Sequence, residues 1–282
     1  MSDPVPGPSA PVAYLASEYP ALSHTFIQRE IAALRDEGRD VRTCSVRRTG
    51  GAHVAGAAEA EDARRTFYII ETAKRPGALL AAMGAALARP GKLAQAIALA
   101  RRTRPPGTKA TLWQMFYLVE AIVLAHHLRS EGIRHLHVHF ANSGCSVAML
   151  ASTLSDVPFS FTLHGPSIFF EPKHWRIDEK IARAKFVACI SDFCRSQGMI
   201  FADPAHWPKM QIVHCGVTPA RYGKRDHKSG QNLIFVGRLA AVKGVAVLLE
   251  SVAKLAADHP ELHLTLIGDG AERASLEARA RS

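Results

Sequence analysis

No stretch of the 282-residue chain reaches the roughly 18 consecutive apolar residues that a membrane helix needs. The nearest approach, residues 77–100, is interrupted by Arg89, Pro90, Gly91 and Lys92, so the chain is expected to be soluble or at most peripheral to a membrane. Cysteine is sparse and odd in number. Cys44, Cys145, Cys189, Cys194 and Cys215 are scattered and form no C-x-x-C, which fits a reduced, cytoplasmic setting rather than a disulfide framework. Acidic residues are in deficit, 25 Asp+Glu against 35 Lys+Arg, and the net charge of +10 favours anionic partners: nucleotides, phosphorylated lipids or a membrane surface. No dense basic run interleaved with aromatics exists, so nucleic acid is not expected as a partner. No G-x-G-x-x-G follows the first predicted strand, which argues against a dinucleotide oxidoreductase. Residues 1–11 are rich in Pro, Ser and Gly and have no basic n-region or apolar core; they read as a disordered lead-in, not a signal peptide.

What is present is alternation. Apolar residues make up 48% of the chain, enough for a full core, and the length fits two domains. Short apolar runs predict strands over residues 12–17, 41–46, 67–70, 135–140, 159–163, 186–190 and 211–213. Helical periodicity predicts helices over 25–37, capped by Ser23 and closed by Gly38, and over 112–128, 143–154 and 193–201, the last capped by Ser191 and Asp192. Residues 47–63 read as a polar loop, and 76–100 as two Ala-rich helices split at Pro90. The helical region either packs on the sheet or lays a basic helix on membrane headgroups. Repeated strand–helix alternation predicts an α/β fold with a doubly wound parallel sheet. The boundaries read as 12–218 for this Rossmann-like domain, a polar linker over 219–230, and a second, partial domain over 231–282.

The densest chemistry lies after residue 231. Leu233, Ile234, Phe235 and Val236 are continuous apolar residues, as in a strand buried on both faces. Gly237 lets the backbone turn close to a ligand, and Val245, Leu248, Leu249 and Val252 form one helical stripe. Arg238 and Lys243 thus stand where a strand meets a helix N-terminus, a place that favours phosphates; the alternative is two solvated cations. In the N-terminal half, His135, His137 and His139 share one strand face. No carboxylate or cysteine stands at a supporting spacing, so no metal is expected. His164 ends an apolar strand before Gly165, a position that projects into the crevice of such a sheet.

These strings resemble a known family. Phe235-Val-Gly-Arg-Leu239 followed by Lys243-Gly-Val-Ala-Val-Leu-Leu-Glu250 is similar to the F-V-G-R-L-x-x-x-K-G-V-x-x-L-L-E signature of retaining glycosyltransferases of the GT4 type, which have the GT-B fold. Leu264-Thr-Leu-Ile-Gly-Asp-Gly270 resembles its next strand and turn. Residues 17–27 resemble the Phe-Pro-x-x-Ser-Glu-Thr-Phe pattern of exopolysaccharide and colanic-acid-type transferases, with Tyr19 in place of Phe and His24 in place of Glu. Thr162-Leu-His-Gly165 resembles T-x-H-G, Ile190-Ser191 the family's I-S, and Val138-His-Phe-Ala141 part of H-x-H-F-A. The resemblance implies that Arg238 and Lys243, with Gly237 and Gly244, grip the diphosphate of a nucleotide-sugar donor. It implies that Ser191 offers helix N–H groups to that donor, and that His164 contacts the sugar near the reacting centre. Ser17, Glu18, Ser23 and His24 would form the acceptor-side loop. It implies a saccharide or lipid-linked acceptor, no cofactor and no catalytic metal, and a site of action in the cytoplasm or at the inner membrane face.

The chain departs from the pattern at its end. No P-S-x-x-E-G-F-G or Glu-x7-Glu follows, and Glu272 and Glu277 read as helix-surface carboxylates. A fragment is therefore expected, which leaves open a non-catalytic remnant that binds sugar nucleotide, and a GT-B-fold sugar-nucleotide epimerase.

Overall fold

The computed structural model describes residues 10–51, 56–217, 219 and 230–281. The lead-in expected over residues 1–11 therefore falls outside the described residues except for 10 and 11, and the expected linker falls outside them at 220–229. The described residues separate into two compact units, one up to Val217 and one after it.

The first unit carries β1 (Val12–Glu18), α1 (Thr25–Asp36), β2 (Val41–Arg47), α2 (Ala57–Arg65), β3 (Phe67–Tyr68), α3 (Ile69–Ala73), α4 (Pro76–Leu87), α5 (Pro90–Thr103), α6 (Thr108–Ser130), β4 (His135–His139), α7 (Ser143–Ser155), β5 (Phe159–Leu163), α8 (Pro172–Trp175), α9 (Ile177–Arg183), β6 (Val187–Cys189), α10 (Asp192–Phe201) and β7 (Met210–Ile212). All seven strands pair in parallel in the order β3-β2-β1-β4-β5-β6-β7. The order reverses between β1 and β4, so the carboxyl ends of these two strands flank the topological switch point, where open sheets of this kind bind ligands. The α/β, doubly wound expectation holds.

Burial explains the layers. α7 is the central helix, with Cys145, Val147, Ala148, Met149, Leu150 and Ala151 at most 1% exposed, and it packs on β1, β4 and β5. Helices α5 and α6 pack on α7, and α6 also packs on α3 and α4, so the helical region forms a layer outside α7. On the other face Ile27 and Ile31 of α1 close over Tyr14, Ala16 and Val41.

Three local expectations are corrected. Residues 47–63 are not all loop: α2 forms over Ala57–Arg65, and its Asp62 accepts from the Tyr19 hydroxyl and from Arg35. Ser23 does not cap α1. It sits inside a 3-10 turn, Leu22–His24, which puts His24 at the cap position, and no side chain caps the helix. The second unit holds β8 (Asn232–Val236), α11 (Val245–Leu255), β9 (His263–Ile267) and α12 (Arg273–Arg281), with β8 parallel to β9. Here the expectation of a strand buried on both faces fails. The helices pack with Phe235 and Leu266, while Ile234 and Val236 on the alternate face are 67% and 70% exposed.

Candidate functional site

The register between β4 and β5 sets His137 beside Ser160 and His139 beside Thr162. Side chains on one face then interlock. The Ser160 hydroxyl is 2.7 Å from both His135 Nε2 and His137 Nδ1, Thr162 Oγ1 is 2.9 Å from His137 Nε2, and His139 Nδ1 is 2.8 Å from His164 Nε2. The period-2 series Ser160, Thr162, His164 thus matches the series His135, His137, His139. That complementarity was present in the sequence and is the signal that could have found it. Both ring nitrogens of the buried His137 are thus satisfied inside the sheet, and His135, half-buried, is held through its Nε2.

His164 lies at the top of this ladder. Its ring is 4.6 Å from Phe26 and 4.7 Å from Phe140 between centroids. Phe140 holds φ 70, a left-handed backbone that costs a bulky residue of order 1–3 kcal/mol. Burial, aided by the nearby His24, lowers His164 to about 4, so its imidazole is neutral near pH 7. A neutral imidazole carries one N–H. The sense of the His139–His164 bond therefore decides whether His164 Nδ1 accepts or donates.

Glu30 of α1 stands behind this pair. Its Oε1 accepts from the Tyr14 hydroxyl at 2.8 Å, and its Oε2 is 3.8 Å from His139 Nε2, a buried nitrogen without a hydrogen-bond partner. Burial raises Glu30, with the Tyr14 bond opposing. The sequence reading saw no carboxylate near the histidines because Glu30 comes from another element. Ligand atoms of Glu30, His137 and His139 lie within 4.8 Å of one another, the one such cluster among the described residues. Both nitrogens of His137 are already bonded, however, so coordination there would cost one of its two hydrogen bonds.

The loop after β1 is held from several sides. Ser17 Oγ donates to Asn142 Oδ1 at 3.1 Å, and the same oxygen accepts from Gly144 N to cap α7. The Glu18 carbonyl is 3.2 Å from His24 Nδ1, and the His24 ring lies 5.2 Å from that of Phe140 between centroids, tilted by 45°. Ser17, His24 and His164 thus gather at the carboxyl ends of β1, β4 and β5. Ser23 is exposed. The buried ring of Tyr19 sends its hydroxyl to Asp62 at 2.7 Å, a bond that a Phe at this position could not make. Ser191 caps α10, its Oγ accepting from Cys194 N at 3.2 Å.

Sequence reasoning missed Lys180. It is fully buried, and its Nζ donates to the carbonyls of Ala141 (2.7 Å) and Asn142 (3.0 Å), fixing the β4–α7 turn. Burial lowers its amine to about 8.

In the second unit, Gly237 N donates to Ile267 O, Leu239 N to Asp269 O, and Glu272 N to Leu239 O, so the segment bearing Arg238 is tied down by main chain alone. A Cβ on Gly268 would lie 1.8 Å from Gly237 O, and one on Gly270 would lie 2.2 Å from Leu239 O. Lys243 ends a 3-10 turn, and Gly244, at φ 67, turns the chain into α11. A side chain would be strained at that φ. Lys243 and Gly244 thus immediately precede a helix whose first N–H groups have no partner within it, and Arg238 lies in the loop between β8 and that turn. Residues 223–282 match the family model of the Glycosyl transferases group 1.

The group 1 match has company in a relative. The chain is 29% identical over 161 residues to a protein described as an uncharacterized glycosyltransferase of Methanocaldococcus jannaschii, an overlap of 55% of this chain and 42% of that one. The chain thus spans less than half the length of the curated relative it matches. Among solved structures it resembles MnaA of S. aureus with UDP (TM-score 0.53, 8% identity, 97% of this chain and 66% of that one). It also resembles an α-glucosyltransferase with UDP and DNA (TM-score 0.52, 10% identity, 96% and 58%). A third is the catalytic domain of starch synthase IV of Arabidopsis thaliana with ADP and acarbose (TM-score 0.52, 10% identity, 97% and 71%). At these identities the likeness shows the GT-B-like fold.

Proposed function

We propose that this chain belongs to an enzyme that moves a sugar from a nucleotide-diphosphate donor to a saccharide or lipid-linked acceptor, with retention at the anomeric carbon, in the assembly of cell-surface polysaccharide. The observation that carries this reading is the coincidence of the group 1 match with Gly237, Arg238, Lys243 and Gly244 at one strand–helix junction. Arg238 and Lys243 neutralise the leaving diphosphate as its charge grows, with the N–H groups of α11 in support. The neutral imidazole of His164 positions the sugar or acceptor by hydrogen bonding, on a rim shared with Ser17, Glu18 and His24. No metal enters this scheme. The relatives that carry UDP or ADP are consistent with a nucleotide donor. Among the described residues no helix is long and apolar enough to cross a membrane, and the reading places the protein in the cytoplasm, meeting a lipid-linked acceptor at the inner face.

The test is isothermal titration and turnover of the 282-residue chain with UDP- and GDP-hexoses, with and without saccharide acceptors. Binding that Arg238→Ala and Lys243→Ala each weaken by about 10-fold or more supports the donor site. Epimer formation without acceptor would replace transfer by epimerisation. Absence of any sugar-nucleotide binding would refute both.

A further inference from the structure

A cavity of about 610 Å3 opens in the first unit between the end of β2, the α5–α6 turn, the first turn of α7, and α8. Its volume falls inside the roughly 300–1,000 Å3 range of ligand pockets. It is not the His164 rim: neither His164, Ser17 nor His24 lines it. Its walls are the rings of Trp113, Tyr117 and Trp175, and its cations are Arg47, Lys109 and Arg176, with no Asp or Glu among the lining residues.

The charge is only partly compensated. Arg176 is bonded by Asp178 at 2.8 and 3.0 Å. Arg47 and Lys109 have no side-chain partner among the described residues. The carboxyl that senses Arg47 is Glu120, which burial raises to about 7, the Arg47 charge opposing. Ser143 and Ser146 present the first turn of α7 to the same cavity, adding the positive end of a helix dipole. Arg47, without a hydrogen-bonding side-chain partner among the described residues, and the exposed Lys109 give the cavity a positive field. Trp113 and Tyr117 lie 6.5 Å apart between centroids with their planes 33° from parallel, a wall suited to the C–H face of a pyranose. The Thr103 hydroxyl is spent, donating to Leu99 O at 2.8 Å and accepting from Gln114 Nε2 at 3.2 Å, and it holds the Gln114 amide, whose Oε1 is the polar group left for a sugar hydroxyl.

We infer that this cavity binds a saccharide bearing a phosphate, its ring against Trp113, Tyr117 and Trp175 and its anion held by Arg47 and Lys109. The binding stands on the cavity alone; naming the ligand as the acceptor of sugar transfer rests on the transferase reading. The shared chemistry, a sugar phosphate, is available from a soluble saccharide or from a prenyl-phosphate-linked one.

The test measures affinity of the full chain by tryptophan fluorescence and calorimetry for hexose 1-phosphate, methyl hexoside, inorganic phosphate, UMP and a short prenyl-phosphate-linked hexose. Hexose 1-phosphate is expected to bind tighter than the methyl hexoside and inorganic phosphate. Arg47→Ala with Lys109→Ala should weaken it at least tenfold, whereas Arg238→Ala with Lys243→Ala should leave it unchanged, which separates this site from the donor site. Lys109 is exposed, so Lys109→Glu tests the charge without risk to the fold. Tighter binding of the prenyl-linked sugar identifies a lipid source, and equal binding a soluble one; both support the inference. It is overturned if UMP or the methyl hexoside binds as well as the sugar phosphate. It is equally overturned if none binds at 10 mM, a concentration of the order of a weak-ligand Kd, or if affinity follows Arg238 and Lys243 instead.

Discussion

His139 Nδ1 and His164 Nε2 are 2.8 Å apart, and the far nitrogen of His139 is buried without a partner beside Glu30. A histidine at the rim is thus oriented by a second histidine inside the sheet. In the transferase reading His139 is a positioning residue, because it reaches a ligand only through His164.

Replacing His139 by Phe keeps an aromatic ring and removes the bond, although the larger ring also presses on a fully buried position. The expected result is a fall in kcat of about tenfold, the size of a lost hydrogen bond at a buried acceptor, with KM for the sugar nucleotide little changed. His139→Asn, which can still bond His164, should recover part of it. A KM effect equal to the kcat effect would mean that His139 holds the fold rather than the orientation.

Acid should destabilise the first unit. Burial lowers His127 and His164 to about 4, His137 to about 3 and His139 to about 2. A group whose folded pKa is depressed contributes stability that is present above its unfolded value and lost as pH falls. Glu120, raised to about 7, acts in the opposite sense over the same window. Glu30, also raised by burial, opposes as Glu120 does, and His135, also lowered, adds to the histidines; the depressed histidines outnumber the raised carboxyls, so near pH 5.5 the unfolded chain binds more protons than the folded one and stability falls as pH falls. Urea midpoints at pH 7 and pH 5 measure this, and His137→Gln should flatten the slope by about one proton. A midpoint independent of pH between these values contradicts the burial of the cluster.

Lys180→Met is expected to lower stability by about 1–3 kcal/mol, since it strands the carbonyls of Ala141 and Asn142 while relieving a buried charge. A melting temperature unchanged or raised in differential scanning calorimetry would show that the turn does not depend on that amine.

Gly268→Ala should disorder the second unit selectively. Hydrogen exchange should speed up in peptides spanning 232–276 while those from 12–217 keep their protection, and sugar-nucleotide affinity should fall with it. Unchanged exchange would mean that the backbone yields at little cost.

Much of this was readable beforehand, and each miss has a physical cause. The seven-strand alternation, the Ser191 cap and the split at Pro90 are local patterns, and local patterns survive in sequence. The α2 helix escaped because Gly56, Ala57 and Ala58 open a segment without a strong apolar stripe; what anchors it are Tyr19 and Arg35, far away in the chain. Glu30 was invisible beside the histidines for the same reason. The Ser23 cap failed although α1 starts at Thr25 as expected: a 3-10 turn over Leu22–His24 leads into the helix and puts His24 at the cap position, a choice made by backbone geometry rather than residue type. The exposed face of β8 was missed because an unbroken apolar run says nothing about which side is covered.

The close backbone approach at Gly268 and Gly270 has a consequence for how Arg238 can vary. Its Cα is held by amides and carbonyls alone, so exchanging its side chain leaves the trace of the loop where it is. A library built at position 238 would thus sample chemistry on a fixed frame, whereas one built at 268 would move the frame and leave the chemistry uninterpretable.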